Sequence, residues 1–90
     1  MPDLPSREVI REHEFEEQLL GLVGNVEEAD EFTAGAEDLL AREPESGMPV
    51  SGDGSIWYLP MSPVRGRRVS LFYSFDESTV VFLAILAFDD

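Results

Sequence analysis

The chain has 90 residues, 43% of them apolar, with no cysteine and one histidine. That suits one domain spanning residues 1–90 with one core, and it excludes a disulfide framework, a thiol nucleophile and a cysteine-type zinc site. Nineteen carboxylates oppose six cationic side chains, all arginine, for a net charge of −13; such a surface repels phosphate backbones and favours basic partners, although solubility or a salty cytoplasm is the plainer reading.

The first residues lack the apolar centre of a secretion signal, and the longest apolar run, Val80 to Phe88, is only strand-sized. A cytoplasmic protein with no membrane span is expected. Between Arg7 and His13, Val9-Ile10 opens either a short strand or an extension of the next helix. A strand is preferred, because the final strand needs a neighbour on its outer edge. From Glu14 to Val23, Phe15, Leu19 and Leu22-Val23 recur at helical spacing, and Gly24-Asn25 supplies a stop. A second helix is expected from Val26 to Arg42, with Phe32, Ala36, Leu39 and Leu40 on one face. Glu27 and Glu28 suit its first turn, Arg42 its last, and Pro44 ends it. So short a separation implies an αα-hairpin.

Glu43 to Ser55, dense in Pro, Gly and Ser, reads as a connecting loop. Three strands follow. Ile56 to Leu59 is aromatic and β-branched, Pro60 to Gly66 reads as a shorter loop, and Val69 to Phe75 alternates with period two. Asp76-Glu77-Ser78 makes a tight turn into Thr79 to Phe88, which is apolar from Val80 onward. A strand without alternation predicts cover on both faces. The expected class is α+β: an N-terminal strand, a helical hairpin and a three-stranded antiparallel meander, in the order β-α-α-β-β-β. Charge divides with the architecture. Through Gly47 there are 14 acidic and 3 basic residues, and from Met48 onward 5 and 3, the three being Arg65, Arg67 and Arg68.

His13 is the one side chain that ordinarily changes charge near neutral pH, but within Glu12-His13-Glu14 it reads better as a surface histidine paired to glutamate than as a catalyst. Glu16-Glu17, Glu27-Glu28 and Asp30-Glu31 follow no Asp-x-Asp loop or His-Glu-x-x-His pattern, so they read as a solvated helix face. No metal and no cofactor is expected. Trp57-Tyr58 could anchor a partner peptide, though core or groove lining is the commoner use of such residues.

Glu14-Phe15-Glu16 with Leu19 and Leu20, the junction Leu39-Leu40-Ala41-Arg42-Glu43-Pro44-Glu45-Ser46-Gly47, and the runs Ile56–Leu59, Arg67–Asp76 and Val80–Ile85 follow one another in an order that resembles the RelE/ParE superfamily of type II toxin–antitoxin toxins. The likeness covers almost the whole chain. It implies a toxin acting on ribosome-bound mRNA or on DNA gyrase, held in check by a cognate antitoxin that lays an amphipathic helix or an added strand across the sheet and its basic corner.

Under that resemblance the candidate catalytic residues are Arg65, Arg67, Arg68 and Tyr73. RNA cleavage requires an activated 2′-hydroxyl, a stabilised phosphate and a protonated leaving oxygen, and arginine suits the second task. Alternation puts Arg68, Ser70, Phe72 and Ser74 on one strand face, and Val69, Leu71, Tyr73 and Phe75 on the other, apolar one. Tyr73 can donate a proton or stack a base only if it escapes the apolar face; core packing is the favoured reading. The arginines have an equal alternative as a solvated loop paired with the acidic helices. Ribonuclease members usually carry sheet lysines and a further basic residue after the last strand. Here there is no lysine, and the last strand runs into Asp89-Asp90. Those departures leave two further readings: a toxin with weakened or lost activity, or a non-catalytic acidic protein-interaction module on the same scaffold.

Overall fold

In the computed structural model, which describes residues 6–89, Gly24 and Asn25 divide the acidic half of the chain into two helices. α1 spans His13–Val23 and α2 spans Val26–Arg42. Gly24 ends α1 in the left-handed region (φ 98°), where its N–H donates to the Leu20 carbonyl at 2.8 Å. Asn25 caps α2 by accepting from the Glu28 N–H at 2.8 Å, with Glu27 and Glu28 against the positive end of the helix dipole. Caps are local devices. Both helices accordingly lie where the sequence pattern puts them.

Five strands form one sheet: β1 (Glu8–Arg11), β2 (Met48–Pro49), β3 (Trp57–Val64), β4 (Arg67–Phe75) and β5 (Thr79–Phe88). Their order is β1-β5-β4-β3-β2, with β1 parallel to β5 and the other pairs antiparallel. The expected α+β order holds, and β1 takes the outer-edge place argued for it. The connection between α2 and β3 is less irregular than expected, since it contains a 3-10 turn (Pro44–Ser46) and the short β2. β3 also runs through Pro60 and Pro63, where a loop was expected. β2 pairs only with Trp57 and Tyr58, so the rest of β3 is a sheet edge that needs no donor on its outer side.

Both helices lie on one face of this sheet. Phe15 and Leu19 of α1 and Leu40 of α2 are buried with Val69, Leu71 and Tyr73 of β4 and Val80, Phe82 and Ile85 of β5. The Phe15 and Phe82 rings are 5.3 Å apart. Arg11 ties β1 to α2: its guanidinium donates to Thr33 Oγ1 at 3.0 Å and pairs with Glu37, and Asp30 lies 3.4 Å away. No helix among the described residues is long and apolar enough to cross a membrane.

The expectation of cover on both faces of β5 is not met. Leu86 and Phe88, on the face away from the helices, are each 39% exposed. The strand lacks alternation for another reason. Its register with β4 shifts between Phe72 and Tyr73, leaving Leu83 without a β4 partner. A bulge of this kind reverses side-chain parity, so even-numbered Val80 and Phe82 meet the helices before it and odd-numbered Ile85 after it. Beyond the end of β1, the Ile85 N–H donates to the Gln18 side-chain oxygen of α1 at 2.9 Å.

Candidate functional site: an arginine corner on the open sheet face

β3 and β4 are joined by a two-residue turn in which both Arg65 (φ 52°) and Gly66 (φ 78°) are left-handed. Paired positive φ values match the right-handed twist of a hairpin, and asparagine followed by glycine is the usual choice. Arginine carries a Cβ there, at a cost of order 1 kcal/mol. Arg67 begins β4; its Nε donates to Asp89 Oδ1 at 2.9 Å and a terminal nitrogen reaches the Ala87 carbonyl at 3.4 Å. Arg68 follows on the open face, opposite Phe88. All three predicted arginines therefore meet at one corner of the sheet. Arg67 is paired with the carboxylate after β5, not with the helices, and the pair is exposed (47% and 80%). An exposed pair contributes about 0–1 kcal/mol, so an arriving phosphate can displace Asp89. Asp90 lies outside the described residues.

The corner opens into a groove of about 740 Å³ along the face the helices leave bare. Tyr58 and Pro60 of β3, Arg68, Ser70 and Phe72 of β4, and Phe88 of β5 line it, with Pro49 and Val50 at its margin. The Tyr58 and Phe72 rings are 6.2 Å apart, and the Tyr58 hydroxyl lies 3.8 Å from Met48 Sδ. Rings, proline faces and a guanidinium on one surface suit a ligand that is apolar or planar along its length and anionic at one end.

Tyr73 does not share this surface. It is completely buried on the helix side, where its hydroxyl donates to the Pro44 carbonyl at 2.5 Å and accepts from the Gly47 N–H at 3.2 Å. Burial pushes its phenol above 10.0. The condition set for a catalytic Tyr73, escape from the apolar face, is not satisfied; its hydroxyl is a structural fastener on the far side of the sheet from Arg68. Gly47 is required beside it, because a Cβ there would overlap both the Tyr73 hydroxyl and the Tyr58 carbonyl. The only hint of this contact in the sequence is the Pro44-to-Gly47 spacing, which carries no signal of its distant partner.

His13 lies at the start of α1 with Nε2 2.9 Å from Glu17, an exposed surface pair. The Trp57 indole donates to the Gly54 carbonyl at 2.9 Å and its ring meets the edge of Phe75. Among the described residues no three His, Cys, Asp or Glu side chains converge as a metal site would require.

The opposite end of the sheet is anionic on balance, although Arg7 lies there with its Nε donating to the Asp76 carbonyl at 2.6 Å. In the loop before β3, hydrogen bonds from Ser55 and Ser51 hold Asp53 down to about 2. In the β4–β5 turn, the Ser78 and Thr79 N–H groups donate to Asp76 Oδ1 at 2.8 and 2.9 Å and lower its pKa. Glu77 is exposed beside it.

No family model matches the chain, and no curated protein matches its sequence. Among solved structures, the chain is similar to a protein in the crystal structure of the toxin–antitoxin complex RelBE2 from Mycobacterium tuberculosis. The similarity has a TM-score of 0.69 and 21% identity, and it covers 100% of both chains. At that identity the likeness shows the fold, which is RelE/ParE-like.

Proposed function

We propose that the chain is the toxin of a type II toxin–antitoxin pair, acting on ribosome-bound mRNA or DNA gyrase in the cytoplasm and neutralised by a cognate antitoxin. The observation that carries this reading is the full-length fold match to a chain of a toxin–antitoxin complex, joined to an arginine corner on an uncovered apolar face. Arg65, Arg67 and Arg68 engage the phosphate groups of the target, and the groove from Tyr58 to Phe88 takes the antitoxin.

The chemistry at the corner favours binding over hydrolysis. A guanidinium holds its proton throughout the physiological range, so it stabilises a phosphate without accepting the 2′-hydroxyl proton. Tyr73 is turned away, and Ser70 is not a base at neutral pH. The action therefore resembles that of a blocking ligand more than that of a nuclease.

Induced expression tests the proposal. Growth should arrest, and replacing Arg65, Arg67 and Arg68 together by alanine should restore it. Purified protein assayed on translating ribosomes and in gyrase supercoiling then identifies the target. Absence of arrest, mRNA cutting and gyrase inhibition together would favour the second reading: a non-catalytic interaction module on this scaffold. The net charge of −13 and the Arg67–Asp89 pair support that alternative.

A further inference from the structure

The exposed large apolar residues are not scattered. Eight are exposed among the described residues: Leu20 and Val26 on the helices, and Ile10, Met48, Val50, Ile56, Leu86 and Phe88 elsewhere. Register puts these last six on the bare face. Ile10 pairs with Val81, Met48 with Tyr58 and Leu86 with Ser70; Phe88 lies opposite Arg68, and the Val50 N–H bonds to the Ile56 carbonyl. A concentration of this kind marks an interaction surface.

Charge says what suits it. Arg65, Arg67 and Arg68, with Asp89 paired to Arg67, occupy the end of the face at the β3–β4 turn. Asp53, Asp76 and Glu77, with Arg7 beside Asp76, occupy the end at the β4–β5 turn, so the first end is cationic on balance and the second anionic. The face is thus a strip, cationic at one end, anionic at the other and apolar between. A strip of this form complements itself after a half-turn about an axis in its plane and perpendicular to the strands. That operation lays β4 of one copy antiparallel over β4 of another and sets each arginine corner against the other copy's Glu77 turn. The carboxylates of the helices then face outward on both sides. With the sheets stacked about 10 Å apart, the two helix layers are separated by well over a Debye length of roughly 8 Å, so their mutual repulsion is screened.

We infer that the occupant of this face, when no other partner is bound, is a second copy of the chain, in an antiparallel face-to-face dimer. Strands of 8, 9 and 10 residues make β3, β4 and β5 a strip of roughly 14 by 30 Å, and stacking two such strips buries on the order of 1,000 Å² in total. That is the lower limit of a specific interface, so the dimer is weak and exchanges readily. It also covers the arginine corner, making self-association and target engagement mutually exclusive. The dimer rests on the geometry of the face and stands whether or not the toxin reading holds; only its regulatory consequence depends on that reading.

Sedimentation equilibrium of the full chain at physiological salt, over a series reaching high micromolar concentration, tests it. The weight-average mass should rise from 10.1 kDa towards twice that value. Leu86→Glu should remain monomeric, and Leu20→Glu, on the helix side, should associate like the wild type. Arg68→Glu and Glu77→Arg, both at exposed positions, should each weaken association about tenfold, since two symmetry-related rim pairs are reversed. Mixing the two variants should recover it, because the heterodimer restores both pairs. If Leu86→Glu proves unfolded by circular dichroism, the exchange of the two rim variants decides. A wild type monomeric throughout, a folded Leu86→Glu that still dimerises, or a mixture no tighter than its components would each overturn the inference.

Discussion

The Tyr73 hydroxyl and the Pro44 carbonyl, 29 positions apart in sequence, meet at 2.5 Å between β4 and the turn that leaves α2. Through this bond, and the one accepted from Gly47, the sheet holds the chain where it passes from the helical half to the strands. Tyr73→Phe keeps the ring and strands both main-chain groups. It should cost about 1–3 kcal/mol, read as a lower urea midpoint at unchanged m-value. A midpoint within error of the wild type would show that the contact does not contribute.

The same tyrosine predicts an alkaline limb. Its folded pKa is raised above 10.0 by burial, so the protonated phenol is favoured in the fold. That contribution is full below the unfolded value near 10 and is lost as pH climbs from there through the folded pKa. In a Tyr58→Phe background, phenolate absorbance should appear together with loss of native circular dichroism. Tyr73→Phe should flatten the alkaline slope of stability; an unchanged slope would assign it to other groups.

At acid pH the turn carboxylates act in the opposite sense. Asp53 is held at about 2 and Asp76 is lowered by the N–H groups of its turn. Depressed values mean stability present above the ordinary carboxylate pKa of about 3.9 and lost as pH falls through the folded values. Asp53→Asn with Asp76→Asn should therefore make stability less steep with pH below that point. Thermal melts across the range provide the measurement.

Arg65 occupies a left-handed position that asparagine fills more readily. Arg65→Asn should raise stability by about 1 kcal/mol, with the hairpin intact by NMR chemical shifts. If the arginine is kept for phosphate contact, the same variant should weaken growth arrest. Greater stability joined to undiminished arrest would free this residue from any functional role.

Arg11 bridges β1 to Thr33 and Glu37 of α2 while remaining 21% exposed. Its removal should fall between the small cost of an exposed pair and the large cost of a buried one. Arg11→Met is expected to cost about 1–3 kcal/mol and to speed amide exchange in β1 more than in β4. Uniform acceleration across the sheet would place the effect elsewhere.

Local chemistry was legible in the linear pattern. Gly24 and Asn25 stop one helix and start the next through bonds spanning three or four residues, so α1 and α2 follow from composition and caps alone. Chain order and period likewise identify the α+β class and a meander closed by β5. The extent of β3 was not legible. Pro60 and Pro63 signal a break unless the strand lies at an edge, and edge position depends on where β2 pairs.

What the chain by itself determined was which segments coil, which extend, and that three arginines gather beside one bend. Tertiary structure decided which surfaces stay bare. A bulge at Leu83 makes a half-covered strand read as one covered twice, and one sheet face separates Tyr73 from Arg68 although only five positions divide them. Both outcomes depend on long-range register, and a one-residue shift in register turns every following side chain to the other side.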